Sequence, residues 1–249
     1  MLKQDERIDR VNEDILLIQK KNGLTFGTDA LLLAAFIKRS PSAVALDFGA
    51  GSGIISFLCT ARDKFKKIFP IEVQKDFYDI ICRNIEINSF SEKITAINSD
   101  VRDLSYNTLG FEADVIFSNP PYMRAGSGKQ NDNSEKAIAR HEIFGTIDDF
   151  CNAAAKNLKH GGLFYVVYRP ERTAELFYAM KNAKIEPKRL CMVCPDSESS
   201  PSLILVEGKK GASAEMKLTK PLFMYKNKTH CEYTDDFQYI YDNGCFKEN

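Results

Sequence analysis

The chain has 249 residues, a formal net charge of zero, 44% hydrophobic and 27% charged residues, which is enough chain to bury a sizeable core. Zero net charge excludes a global field that would draw it to nucleic acid and leaves only a local basic face. No stretch reaches the roughly 20 apolar residues of a membrane span, and MLKQDERIDR at the start lacks the apolar region of a signal peptide.

Seven cysteines are scattered at 59, 82, 151, 191, 194, 231 and 245. Cys191-x-x-Cys194 has no second pair at zinc spacing and no downstream His pair, so reduced thiols, no metal and a cytoplasmic location are expected. One domain, 1–249, is expected, with 1–40 an N-terminal extension, 41–211 the core and 212–249 a tail packing back near the N-terminal hairpin.

In chain order, residues 1–10 are polar and read as loose. Val11 to Gln19 shows mixed alternation and Lys21-Asn22-Gly23 is a turn signal, which together predict a hairpin leading into Leu24-Thr25-Phe26. Thr28 or Asp29 caps a helix, Ala30 to Lys38, apolar on most faces and therefore buried, and Ser40-Pro41-Ser42 closes it. Val44 to Asp47 is a strand running into Gly49-x-Gly51-x-Gly53 and an apolar helix, Ile54 to Ala61. Glycines at such a turn let a ligand approach the backbone at a helix N-terminus, and the spacing is not the G-x-G-x-x-G of dinucleotide binding.

The next strand, Lys67 to Glu72, ends in an acid placed either to accept from a ribose diol or to sit solvated at the strand end. Lys75 to Asn88 is a helix with Phe77, Ile80, Ile81 and Ile85 on its apolar face. Ile94 to Asp100 is a third strand, and Asp100 either accepts from an adenine amino group or caps a turn, with Asp103 as its competitor. Asp114 to Ser118 is a buried strand running into Asn119-Pro120-Pro121-Tyr122. The two prolines end the strand, since neither donates a ladder hydrogen bond. The turn offers the Asn119 side-chain oxygen and the Pro120 carbonyl as fixed acceptors beside the face of Tyr122, a set suited to a flat group bearing an NH2.

Residues 123–140 are a long polar loop, read as a lid, a binding loop or plain solvent-exposed chain. Then come a helix from Ile147 to Leu158 with His160-Gly161-Gly162 as its exit, a strand from Leu163 to Tyr168, and a helix from Pro170 to Ala183. Strands Lys188 to Cys194 and Ser202 to Glu207 follow. The last two, joined without a helix, predict an antiparallel hairpin at the sheet edge. The fold class is α/β, Rossmann-like and doubly wound: a mostly parallel seven-stranded sheet with helices on both faces. The acids, the glycines and the Asn-Pro-Pro-Tyr turn all fall at carboxyl ends of strands, where ligands bind in such sheets.

These motifs resemble those of the class I S-adenosylmethionine-dependent methyltransferases. Asp47-x-Gly49-x-Gly51-x-Gly53 looks like their first motif, and Asn119-Pro120-Pro121-Tyr122 like that of the subset methylating planar amino nitrogens. Leu24-Thr25-Phe26-Gly27-Thr28-Asp29-Ala30-Leu31-Leu32-Leu33 and Ala139-Arg140-His141-Glu142 resemble one branch, the bacterial tRNA1(Val) adenine-N6 methyltransferases. The resemblance implies S-adenosyl-L-methionine as cofactor, held by Phe26, Thr28, Asp29, Asp47, Gly49, Gly51, Gly53, Glu72, Val73, Asp100, Val101 and Asn119. It implies Asn119, Pro120, Pro121 and Tyr122 as the catalytic set, and tRNA as substrate, at the adenine 3′ of the anticodon.

Charge would grip the RNA through Lys20, Lys21, Arg124, Lys129, Lys136, Arg140, Lys209 and Lys210, if these cluster rather than scatter. His141 is a further candidate, as a base, a substrate contact or a structural residue. A monomer is expected. The rival readings are a glutamine methyltransferase of release-factor type, a guanine-N2 methyltransferase of ribosomal RNA, and a binding protein that kept the fold without catalysis. The first carries a longer N-terminal helical domain, against about 40 residues ahead of the glycine motif here.

Overall fold

The structure is a computed structural model that describes residues 2–21, 27–121 and 145–247. Among these residues the chain forms β1 (Glu6–Arg10), β2 (Leu16–Lys20), α1 (Thr28–Phe36), β3 (Ser40–Phe48), α2 (Ile54–Ala61), β4 (Phe65–Glu72), α3 (Lys75–Ile87) and β5 (Ile97–Asn98). It continues through α4 (Tyr106–Leu109), β6 (Ala113–Ser118), α5 (Ile147–Asn157), β7 (Leu158–Tyr168), α6 (Thr173–Asn182), β8 (Ile185–Cys194), β9 (Leu203–Lys210), β10 (Lys217–Leu218), β11 (Leu222–Phe223) and α7 (Asp235–Asn243). No helix among the described residues is long and apolar enough to cross a membrane.

The main sheet has the order β10-β8-β9-β7-β6-β3-β4-β5, with β11 alongside β8. Strands β3, β4, β5, β6 and β7 pair in parallel, and β9 is antiparallel to both β7 and β8. This is the doubly wound architecture the sequence predicts, with nine strands rather than seven because β10 and β11 add to the edge at β8. The closing hairpin differs too. Instead of extending the edge, β9 inserts between β7 and β8, and its run Leu203 to Gly208 is buried on both faces.

Side chains alternate along each strand, so two cores form. Ala45, Val115, Phe117, Tyr165 and Leu205 face α1 and α2, while Leu46, Phe48, Ile116, Phe164 and Val206 face α5 and α6. Strands covered on both faces read as continuous apolar runs, which is why their type was legible.

Several boundaries move from the sequence reading. Residues 6–10 are not loose: β1 pairs with β2, and the buried Glu6 takes both arms of the Arg83 guanidinium, which holds its carboxyl down at about 2. The β1–β2 hairpin therefore turns over 11–15, while Asn22 and Gly23 of the expected turn lie outside the described residues. Helix α1 spans Thr28–Phe36 with Gly27, not Thr28 or Asp29, at its N-cap, and β3 already starts at Ser40.

The C-terminus of α1 is closed by Lys64, a buried lysine whose ammonium donates to the Ala34 and Ile37 carbonyls at 2.7 and 2.6 Å. Burial lowers its pKa. The third strand shrinks to β5 plus a bridge between Ile68 and Ile94. His160-Gly161-Gly162 is not a helix exit but lies inside β7, at a register shift against β6. The tail packs on β8 through β11 and on α1, where Phe246 meets Phe36 edge-on, and Tyr241 lines a small pocket together with Asn12 of the hairpin turn.

Candidate active site

Strand order reverses at β3, with β4 on one side and β6 on the other, and the crevice of such a sheet opens at the carboxyl ends of these strands. Phe48 stands level with Ile71 and with Ser118. The buried Ser118 hydroxyl donates to the Phe48 carbonyl at 2.8 Å, tying the end of β6 to the end of β3. The glycine turn therefore emerges beside the Asn119 turn.

The Gly49 and Ala50 N–H groups both donate to the Ile71 carbonyl at 3.0 Å. The three glycines have φ of 69°, 57° and 86°, in the left-handed region. Their surroundings separate their roles. A Cβ on Gly53 would stand 2.8 Å from the Phe57 ring, so that glycine serves the packing of α2. Among the described residues, a Cβ on Gly51 would meet nothing within 4 Å, so Gly51 borders space open to a ligand. Gly49 backs onto the Phe150 ring.

Glu72, at the end of β4, is buried and supports this turn from below. Its carboxylate accepts from the Gly51 N–H and from the Gln74 N–H, both at 2.9 Å, and burial pushes its pKa up. A carboxylate accepts about four hydrogen bonds, so Glu72 keeps capacity beyond these two. Asp47 is buried completely. The Ser56 hydroxyl donates to its Oδ2 at 2.7 Å, while Oδ1 has no hydrogen-bond partner. Burial pushes Asp47 up to about 7, and the Glu72 charge adds to the effect.

Asp100 caps the turn Val101–Asp103. It accepts from the Arg102 N–H, and its carboxylate is gripped by the Arg102 guanidinium, which lowers its pKa. The capping alternative left open in the sequence is thus realised for Asp100. Val101 beside it is buried, whereas Val73 is exposed.

At the end of β6, Asn119 is half-buried, Pro120 buried and Pro121 exposed. The Asn119 Nδ2 donates to the Asp29 Oδ2 at 2.9 Å, and the Asp29 Oδ1 accepts from the Ala30 N–H at 2.9 Å. A carboxylate accepts only, so Asp29 orients the Asn119 amide with its amino side toward α1 and its oxygen turned away from it. Thr28, the first residue of α1, is exposed. Phe26, Tyr122, Arg124, Lys129, Lys136, Arg140 and His141 lie outside the described residues.

Among the described residues, the proposed RNA cations Lys20, Lys21, Lys209 and Lys210 do not share one rim. Lys20 pairs with Asp76 at the start of α3, on the crevice side, at 3.0 Å. Lys21 donates to the Gln4 carbonyl. The expectation that Lys209 and Lys210 share the rim of the site is not met: β9 runs antiparallel, Lys209 is level with Leu163 of β7, and both lysines lie at the opposite end of the sheet from Asn119. Lys210 donates to the Leu158 carbonyl.

The sequence reading missed Asn84, which has no exposed surface. Its amide pairs with both the N–H and the carbonyl of Ile18 and reaches the Ser52 carbonyl at 3.2 Å, so one side chain joins β2, α3 and the glycine turn. The available signal was an amide standing within the apolar stripe of Ile80, Ile81 and Ile85.

S-adenosyl-L-methionine presents a ribose diol and a cationic amino-acid end. The open space at Gly51, the Glu72 carboxylate beneath it and the buried, unpartnered Asp47 Oδ1 supply room and acceptors for such a group, and the residues fit it.

Comparison with known proteins agrees. A family model described as methyltransferase small domain matches residues 20–183. The chain is 26% identical over 189 residues to the tRNA1(Val) (adenine(37)-N6)-methyltransferase of Aliivibrio fischeri strain MJ11, covering 74% of this chain and 77% of that one. It is 26% identical over 190 residues to that of Flavobacterium johnsoniae, covering 75% and 79%. Among solved structures it is similar to a predicted O-methyltransferase from Agrobacterium tumefaciens, with a TM-score of 0.71, 20% identity and coverage of 89% and 99%. A likeness at that identity speaks for the fold.

Proposed function

This chain belongs to the methyltransferase small domain family and uses S-adenosyl-L-methionine; on that footing we propose that it methylates the N6 amino nitrogen of an adenine in tRNA, at position 37 of tRNA1(Val). The observation that carries the reading is the Asp29–Asn119 hydrogen bond, which holds a carboxamide at the mouth of the sheet in one orientation. The curated relatives named for that activity support the RNA substrate.

When bound, the cofactor supplies an activated methyl group on a sulfonium, so the protein's work is positioning and polarisation. The lone pair of an adenine amino nitrogen is delocalised into the ring. In this reading the Asn119 Oδ1 and the Pro120 carbonyl accept its two N–H bonds, which returns electron density to nitrogen and favours a pyramidal geometry. Such acceptors are most effective when preorganised and shielded from water, and the Asp29 hydrogen bond to the Asn119 amide supports the first of these. Tyr122 stacks on the base, worth about 1–3 kcal/mol by analogy with other base platforms. The base is splayed out of its stack to reach the site, which an unpaired anticodon-loop adenine allows at low cost.

Glu72 holds the ribose diol and Asp47 the cationic end of the cofactor. The chain acts as a single domain and a monomer in the cytoplasm.

Nucleoside mass spectrometry of tRNA from a strain lacking this protein tests the proposal. N6-methyladenosine should disappear from one tRNA and return when the gene is restored. Its persistence, with labelled methyl appearing instead in a release factor or in guanine of ribosomal RNA, would move the assignment to a rival substrate. At the residue level, Asn119→Ala should abolish most turnover while leaving S-adenosylhomocysteine affinity nearly unchanged.

A further inference from the structure

The groups that fit the cofactor, Asp47, Gly51 and Glu72, stand at the carboxyl ends of β3 and β4, and Asn119 follows at the end of β6. Past Asn119 the sheet continues through β7, β9 and β8. Because β9 is antiparallel to both neighbours, β8 runs with β7 and also ends on the Asn119 side. Strand β11 is parallel to β8, with Phe223 level with Cys194, so the tail leaves the sheet at this same rim.

Arg169 is the first residue after β7. Val166 stands level with Ser118, so Arg169 leaves β7 beside the turn that carries Asn119, on a strand about 4.8 Å away. Arg169 is exposed, and its Nη1 donates to the Ser202 carbonyl at 3.4 Å, which directs the guanidinium along the rim toward β9. Arg172 is placed differently. It lies over the Tyr168 ring, grips Glu175 with both arms and is only 12% exposed, as a packing residue is.

The second observation lies further along the rim and is independent of charge. The Met224 and Tyr225 N–H groups donate to the Cys194 and Pro195 carbonyls at 3.0 and 2.7 Å, which fastens the tail to the loop after β8. In that loop the buried Asp196 accepts from the Glu198 N–H and the Ser199 hydroxyl, and its Oδ2 lies 3.0 Å from the His230 Nε2. A carboxylate only accepts, so that ring nitrogen donates. The His230 ring stacks on Tyr225 with 4.6 Å between centroids and 25° between planes, and 45% of the His230 side chain stays exposed. A buried carboxylate thus holds an exposed aromatic face in one orientation. Lys226 and Lys228 pair with Glu232 and Glu198, so this part of the rim offers stacking rather than net charge. Strand β8 is three strands from β6, or about 14 Å at 4.7–4.9 Å per strand.

We propose that the RNA crosses this rim, from the Asn119 turn over β7 and β9 to the tail, with Arg169 on a backbone phosphate and the His230–Tyr225 pair under an unpaired base; this rests on the reading of the chain as a tRNA methyltransferase. The surface is continuous with the candidate active site and lies on the side of Asn119 away from the cofactor groups. Arginine suits a phosphate through its fork of donors, and such a contact positions the RNA without reading its sequence. Unpaired loop bases are the ones free to stack on aromatic side chains.

The test is methyl transfer by the full chain to an unmodified tRNA1(Val) transcript, with transcript affinity measured at several salt concentrations. Arg169→Ala is expected to raise KM roughly tenfold and to lower the salt slope of binding by about one. His230→Asn keeps a donor for Asp196 and suits the left-handed backbone at φ 52°, so it removes the ring and spares the fold. It is expected to raise KM at least about fivefold with the salt slope unchanged. In both variants kcat, S-adenosylhomocysteine affinity and melting temperature should hold. Lys209→Ala, at the far end of the sheet, should match wild type. Wild-type chain that neither binds nor methylates the transcript overturns the tRNA reading and this surface with it. Active wild type with KM within about twofold in either variant, or an equal loss in Lys209→Ala, overturns the surface alone.

Discussion

Asp29 is where the geometry makes its sharpest demand. Its Oδ2 accepts from the Asn119 Nδ2 at 2.9 Å, and its Oδ1 accepts from the Ala30 N–H in the first turn of α1. Asp29→Ala removes the group that distinguishes the two ends of the Asn119 amide, so the amide can present its amino side to a substrate nitrogen. A hydrogen bond to a charged partner is worth about 1.5–3 kcal/mol. At 1.36 kcal/mol per decade, kcat should fall roughly 10- to 150-fold if that energy is lost in the transition state. Asp29→Asn should lose less, since an asparagine can hold the amide in either sense.

Loss of the Ala30 contact at the helix start costs a further ~0.5–1 kcal/mol, which appears in thermal stability and not in rate. Single-turnover transfer of labelled methyl to a tRNA transcript gives the rate, calorimetry with S-adenosylhomocysteine the cofactor affinity, and a thermal melt the stability. A kcat within twofold of wild type in Asp29→Ala would refute the orienting role. A loss traced wholly to cofactor affinity would make Asp29 a cofactor contact, as its place in the family resemblance implies.

Gly51→Ala should cost only the left-handed backbone penalty of about 1–2 kcal/mol, because its Cβ meets no protein atom, yet should sharply reduce S-adenosylhomocysteine binding. Gly53→Ala should instead destabilise the fold through its clash with Phe57, and melts of the two variants separate these cases. Asp47 stands at about 7 in the folded chain against about 3.9 unfolded, so as pH rises the unfolded state releases its proton first. Its contribution to stability is full below about pH 4, falls as pH rises toward 7 and levels off above that. Asp47→Asn should remove this slope, gaining up to about 4 kcal/mol at pH 8 while weakening cofactor binding; denaturant titrations at pH 5 and 8 check it. Lys64→Met should leave the Ala34 and Ile37 carbonyls at the end of α1 without their donor, lowering stability by about 2–4 kcal/mol in urea unfolding.

How far the sequence could be read depended on the range of the interaction. The Gly49–Gly53 turn, the apolar runs of β3 and β6 and the acid closing β4 are local signals, and each is where it was expected. Polar β1 gave no such signal. It is ordered by Glu6 meeting Arg83, far along the chain. Asp100 offered two local readings, and the structure shows the capping one, through the Arg102 N–H.

From sequence alone came the succession of core strands and helices from β3 to β7, the positions of their carboxyl ends and hence the expectation that Asp47, Glu72 and Asn119 meet at one site, because side-chain periodicity and turn chemistry act over a few residues. Strand register was left to the tertiary structure. Inserting β9 between β7 and β8 reverses its direction and carries Lys209 and Lys210 to the far end of the sheet. The same long-range packing brought Asp29 to Asn119, 90 residues away, because burying the apolar face of α1 on the sheet sets where that helix begins.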